Sequence, residues 1–381
     1  MKKIAFLLFM AIPAVAWSQN DSIQEDQSKA KFANQEFYEV KDYTKKKPKR
    51  AYAKNIIFLI GDGMGISQVY AGLIANKGEL YLNTMPVSGF SKTNSSDNLI
   101  TDSAAGATAF STGVKTYNGA IGVDSLKVPK ETILEAAANK GMGTGLVATC
   151  AITHATPASF IAHQPSRGMQ EEIAADFLKT DIDLFIGGGR KYFNQRKDGR
   201  NLLEEFASKG YDIIPSIDSL RFAKKDKVVA LIENEHQPPV ALGRGNMSTE
   251  ASKFAMKKLR KNDQGFFLMI EGSQIDWGGH DNNTTYIATE MLDFDKTIGE
   301  VLKFAAKDGE TLVVVTADHE TGGFSINGGS LENGIVEGKF TTGGHTGVVV
   351  PVFAYGPQAE LFSGIMENTD IYFKFLEALN W

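Results

Sequence analysis

Six short runs of apolar, β-branched or aromatic residues, at 55–60, 145–149, 183–186, 265–270, 311–316 and 348–355, constrain this chain more than any other feature. Each has the length of a strand, and each reads as a strand buried on both faces. Between them lie stretches of helical pattern at 132–140, 170–178, 248–259 and 284–304. Strands alternating with helices predict an α/β fold, with a mostly parallel central β-sheet flanked by helices on both faces. In open sheets of this kind ligands collect beyond the carboxyl ends of the strands. The sequence changes character at those ends: Asp62 follows the first run, Glu271 the fourth, and Asp318 and His319 the fifth. Thr156 comes a few residues after the second, and His345 stands just before the last.

At 381 residues the chain can bury a large core. Its 43% hydrophobic and 22% charged content is that of a soluble globular protein. A net charge of -5 excludes a general nucleic-acid binder, which needs basic surface. Residues 1–16 are expected to be a cleaved signal peptide, because Lys2 and Lys3 precede an apolar stretch that ends in Ala14-Val15-Ala16. That stretch is too short to span a bilayer comfortably. The expectation is an exported protein, periplasmic or secreted, with no membrane span. Residues 17–54 read as a polar, solvated leader containing the basic run Lys45 to Arg50, and 55–381 as one catalytic domain. Within it, 187–247 should add strands and connections, and the Gly-rich 325–342 reads as a surface excursion. Cys150 is the single cysteine, so no intrachain disulfide can form, and its apolar setting reads as a buried, inert thiol.

Six histidines are available, at 154, 163, 236, 280, 319 and 345. His280 follows Asp276 by four residues, a spacing that puts both side chains on one face of a helical turn. Asp318-His319 supplies adjacent ligands at a strand exit, and His345 lies in a glycine-flanked loop. Imidazole mixed with carboxylate favours zinc, whereas an all-oxygen set favours magnesium. Ser103 opens a helix of small residues. By itself it reads either as an N-cap or as a nucleophile in a field that suits phosphate. Gly61-Asp62-Gly63-Met64-Gly65 lacks the glycine spacing of a dinucleotide-binding loop, and its aspartate would repel a pyrophosphate.

The runs Asp102-Ser103-Ala104-Ala105-Gly106-Ala107-Thr108-Ala109, Thr316-Ala317-Asp318-His319-Glu320-Thr321-Gly322-Gly323 and Gly344-His345-Thr346-Gly347 resemble the alkaline phosphatases. The likeness runs from Asn55 to the last helix and is nearest to compact bacterial members, including cold-adapted ones. It implies that Ser103 is the nucleophile and that Arg167 grips the phosphate. It implies one zinc held by Asp276, His280 and His345, and a second held by Asp62, Asp318 and His319. A third metal, normally magnesium, would take Asp62, Thr156 and Glu271. His154 and Trp277, expected just behind these ligands, depart from the best-known bacterial pattern, where an acid and a lysine are common. An imidazole there weakens the preference for magnesium. The activity implied is hydrolysis of small-molecule phosphate monoesters, with broad specificity and at alkaline pH. Alcohol and inorganic phosphate would be the products, a phosphoserine the intermediate, and a homodimer the common assembly. Two other readings compete: a phosphodiesterase of the same superfamily, and an exported zinc- or phosphate-binding protein without activity. Ser103 and Arg167 speak against the second, since storage needs neither.

Overall fold

The structure is a computed structural model that describes residues 27–381; the expected signal peptide lies outside the described residues. Ten strands form one sheet. In chain order they are β1 (Asn55–Gly61), β2 (Val87–Lys92), β3 (Gly143–Ala151), β4 (Leu184–Gly188) and β5 (Asp212–Ile214), followed by β6 (Val228–Leu231), β7 (Phe266–Gly272), β8 (Thr311–Thr316), β9 (Val350–Tyr355) and β10 (Gly364–Glu367). Their order across the sheet is β10-β2-β9-β8-β1-β7-β3-β4-β6-β5. Nine run in one direction, and β9 runs antiparallel to both β8 and β2.

The central strands are wholly buried because alternate residues feed two separate cores. In β1, Ile56, Phe58 and Ile60 enter one core while Ile57 and Leu59 enter the other. On the first face Phe58 packs edge-on against Phe110 and Phe375, with ring centroids 5.6 and 5.0 Å away. On the second lies the long helix Thr284–Asp308, which buries Ile287, Met291, Ile298 and Leu302 at helical spacing. Asn283 caps that helix by accepting from the Tyr286 N–H, and Gly309 ends it at φ 78°, a conformation costly for other residues. Fully burying one such aliphatic side chain contributes about 1.5–3 kcal/mol, so each face of the sheet is strongly committed.

The 187–247 region adds β5 and β6 to the same sheet. Two strands were not legible in the sequence. In β2 exposed and buried residues alternate, and β10 is short and edge-lying. The 325–342 stretch is more ordered than an excursion. Ser325–Ser330 and Ile335–Lys339 pair antiparallel, and Lys31–Ala33 from the leader completes a three-stranded sheet, with Lys31 opposite Glu337. The leader is strapped down rather than simply solvated. The Tyr38 hydroxyl donates to buried Asp295 at 2.6 Å, and the Thr44 hydroxyl donates to the Thr84 carbonyl at 2.6 Å. The basic run stays on the surface, where Lys49 Nζ donates to the Asp308 carbonyl at 2.7 Å, at the negative end of the long helix. Among the described residues no helix is long and apolar enough to cross a membrane.

Candidate active site

β1, β7 and β8 are adjacent and parallel, so they deliver their carboxyl-terminal residues to one place. Asp62 leaves β1, Glu271 is near the end of β7, and Asp318 and His319 follow β8; all four are completely buried. The chain then turns from β7 into the short helix Ile275–His280, which carries Asp276 and His280. Opposite lies the helix Ser103–Thr112, whose cap Asp102 accepts from the Ala105 N–H at 3.0 Å. That helix can lie this close because it is made of small residues. A Cβ on Gly106 would sit 3.1 Å from the Cβ of Asp318.

Three groups of ligand-type atoms result. Asp276 Oδ1, His280 Nε2 and His345 Nε2 form a triangle with sides of 3.3, 3.2 and 3.5 Å. His280 and His345 each place Nδ1 against a backbone carbonyl, of Gly343 at 2.7 Å and Thr101 at 2.8 Å. Those contacts fix the rings and turn the Nε2 atoms inward. In the second group His319 Nε2 lies 3.5 Å from Asp62 Oδ1 and 3.4 Å from Asp318 Oδ2. The third group is Glu271 with His154 and Cys150, one ligand atom from each lying within 4.8 Å of the others. Thr156 is buried beside Glu271 at the start of the helix Ala155–Ala158.

The electrostatics call for cations. Both Asp62 oxygens, Asp318 Oδ2, Glu271 Oε1, Thr156 Oγ1 and His154 Nδ1 are buried without a hydrogen-bond partner. Unpaired buried acceptors are expensive, and a cluster of them is costlier still. Burial first, then Asp318 and Asp276, raises the Asp62 carboxyl far above its ordinary range. Burial likewise pushes Glu271 up to about 7 and Asp318 to about 6. Asp276 is the exception: burial opposes its charge, yet the hydrogen bond to His280 and the nearby His319 and His345 hold it low. The same bond raises His280 to about 9. Divalent ions are what these donors fit, since they would satisfy the orphaned atoms and cancel the carboxylate repulsion.

Ser103 Oγ lies 3.2 Å from His319 Nε2, at the edge of the second group. Arg167 stands alongside, donating from Nη1 to Asp102 Oδ2 at 2.9 Å, and its Nη2 lies 3.3 Å from His154 Nε2. Trp277 is partly buried, with its ring 4.8 Å from that of His236 and 6.2 Å from that of His154. The structure therefore brings every sequence-predicted site residue to one end of the sheet. It also adds residues that sequence reasoning missed. Thr321 Oγ1 bridges Asp276 Oδ1, at 2.5 Å, and His319 Nδ1, at 3.2 Å. Asp102 holds Arg167, and Ser273 donates to Glu271 at 2.6 Å. Asp102 and Thr321 lie inside the motifs quoted above and could have been found there; His236, joined to Ala151 N at 3.1 Å, carried no such signal.

A hydroxyl at a helix start, beside buried carboxylate–imidazole clusters and an arginine, defines a multi-metal phosphoryl-transfer enzyme on an α/β sheet. A family model for alkaline phosphatase matches residues 53–337 and 335–380. Alkaline phosphatase 3 of Bacillus subtilis is 36% identical, over 88% of this chain and 91% of its own length. Alkaline phosphatase of Escherichia coli K12 is 32% identical over 86% of each chain. Among solved structures, the alkaline phosphatase of the Antarctic bacterium TAB5 is 44% identical at a TM-score of 0.82, covering 87% of this chain and 99% of that one. This chain belongs to the alkaline phosphatase family, and it is a metal-dependent phosphomonoester hydrolase.

Proposed function

We propose that hydrolysis proceeds by double displacement, with Ser103 as the nucleophile and a phosphoserine as the intermediate. The observation that carries this reading is the position of Ser103 Oγ, buried, 3.2 Å from His319 Nε2 and at a helix start. Asp276, His280 and His345 would hold one zinc, and Asp62, Asp318 and His319 a second. A third ion would lie at Glu271 with Asp62 and Thr156, and magnesium is the family's usual choice there. Bound at these sites, the ions supply Lewis-acid stabilisation to the attacking and departing oxygens.

The chain's own residues do the rest. The N-terminal end of the Ser103–Thr112 helix turns the positive end of its dipole toward a phosphate on Ser103. Arg167, aimed by Asp102, presents a planar guanidinium that matches two phosphoryl oxygens. The four acids Asp62, Glu271, Asp276 and Asp318 would leave about +2 of the charge of three bound divalent ions uncancelled, which would draw a dianionic monoester to the site of an acidic protein. Formation of the serine alkoxide favours alkaline pH. A site built around the phosphoryl group suits broad specificity among small monoesters. Export rests on the 1–16 pattern, and a homodimer on family likeness.

The test is p-nitrophenyl phosphate hydrolysis by Ser103→Ala. Zinc content should be retained, and turnover should fall by at least about 10³-fold, as for other covalent nucleophiles. Full activity in that variant would remove the covalent scheme, and faster hydrolysis of a diester than of a monoester would favour a phosphodiesterase.

A further inference from the structure

The third group of ligand atoms differs in kind from the other two because it contains sulfur. Cys150 lies on β3, fully buried, with Sγ 3.3 Å from Glu271 Oε2. β3 and β7 pair in parallel with Ala148 opposite Glu271, so the sheet itself holds the thiol and the carboxylate together. His154, a few residues beyond the end of β3, brings its imidazole to the same point. The place is only half satisfied: Ser273 Oγ donates to Glu271 Oε2 at 2.6 Å, and the Ala151 carbonyl lies 3.2 Å from the sulfur. Glu271 Oε1, Thr156 Oγ1 and His154 Nδ1 all lack a partner there, and Glu271 and Thr156 are completely buried.

Magnesium wants near-octahedral oxygen and gives up its waters reluctantly. A set of one sulfur, one imidazole and one or two oxygens instead suits zinc or cobalt. We propose that Cys150 is a thiolate ligand of the ion held at the Glu271 cluster, with His154 and Glu271, and that this cluster selects a thiophilic divalent ion over magnesium. The proposal rests on the reading above that the site is loaded with metal. On binding, the S–H proton passes to solvent and the sulfur lone pair forms the bond to the metal, so the step needs no redox partner. The alternative is a neutral thiol, the form that burial favours, donating to Glu271 Oε2 or to the Ala151 carbonyl 3.2 Å away.

The experiment is spectroscopic. Metal-free full-length protein is titrated with Co²⁺ while the near-ultraviolet and visible spectra are recorded. A thiolate-to-cobalt charge-transfer band is expected to grow with one of three equivalents. It should vanish in Cys150→Ser while the visible cobalt bands of the other two ions remain. With zinc and excess magnesium together, the wild-type third site should fill with zinc, and Cys150→Ser should shift that preference toward magnesium by about tenfold or more. Three bound equivalents without the charge-transfer band would overturn the proposal, as would binding of only two. Because the wild-type spectrum decides by itself, a poorly folding variant does not blunt the test. Monoester hydrolysis without the band would sink the thiolate and leave the phosphatase reading intact. A thiolate band in a loaded protein that hydrolyses no ester would do the reverse.

Discussion

Replacing Thr321 by valine should loosen two metal groups at once, although Thr321 is itself no ligand. Its hydroxyl donates to Asp276 Oδ1 at 2.5 Å, so its proton is committed. The contact with His319 Nδ1 at 3.2 Å must then be an N–H donating to the hydroxyl oxygen. This fixes the tautomer: Nε2 of His319 carries the free lone pair and faces Ser103, Asp62 and Asp318. Valine keeps the branched shape but removes both bonds. One is charge-assisted, worth about 1.5–3 kcal/mol, and one ordinary, about 0.5–1.5 kcal/mol, for a total of about 2–4.5 kcal/mol in the folded protein. Loss of such an orienting partner typically weakens metal binding ~10–100-fold, or about 1.4–2.8 kcal/mol. Zinc affinity measured against a chromophoric chelator should fall by that factor, and turnover should recover when free zinc is raised. Thr321→Ser, which keeps the hydroxyl, should restore both. A valine variant whose zinc affinity and turnover stay within about twofold of wild type would refute the bridging role.

Two further outcomes follow from packing and burial. Gly106→Ala places a methyl 3.1 Å from Asp318 Cβ, so the helix or the ligand must move; zinc affinity should drop by about tenfold while the thermal midpoint of the metal-free protein changes little. Asp295 is buried under Tyr38 and the N–H groups of Tyr81 and Leu82, and burial raises its carboxyl to about 6. A raised folded-state value means that its protonated form favours the native state below the unfolded value of about 3.9. That contribution disappears as pH rises through about 6, a swing near 3 kcal/mol. Asp295→Asn should lack this segment, so urea unfolding of the variant and the wild type at pH 4 and pH 6.5 should differ in slope; identical pH dependence would contradict the assignment.

The strands that sequence revealed are those buried on both faces, such as β1 and β8, where composition alone suffices. β2 was hidden because its exposed residues break the apolar run, and the Lys31–Ala33 strand because its partner at 335–339 is remote in sequence. The same distinction applies at the site. Asp62, Asp276, His280, Asp318, His319 and His345 are recognisable from short motifs at strand ends. Thr321 to Asp276 is a link across 45 residues, and Cys150 to Glu271 one across 121. No local pattern encodes such contacts, since they exist only once the sheet has set its strand order. Cys150 reads from sequence as a buried thiol, and it is buried; that its neighbours are ligand-type groups emerges only from the strand pairing.

That strand order also governs how the protein comes into being. β1, which bears Asp62, is paired on its two sides with strands that begin at Phe266 and Thr311. The last histidine of the centre, His345, precedes the antiparallel β9, and the leader strand waits for residues 335–337. Contacts of such long separation must pay loop-closure entropy before they return any stability, which makes them slow to form. A nascent chain that has emerged only as far as β7 exposes an apolar β1 with one of its edges still open. Assembly of the centre therefore waits for residues as late as His345, and a metal ion met earlier finds at most local pairs such as Asp276 with His280 or Asp318 with His319 rather than a complete site.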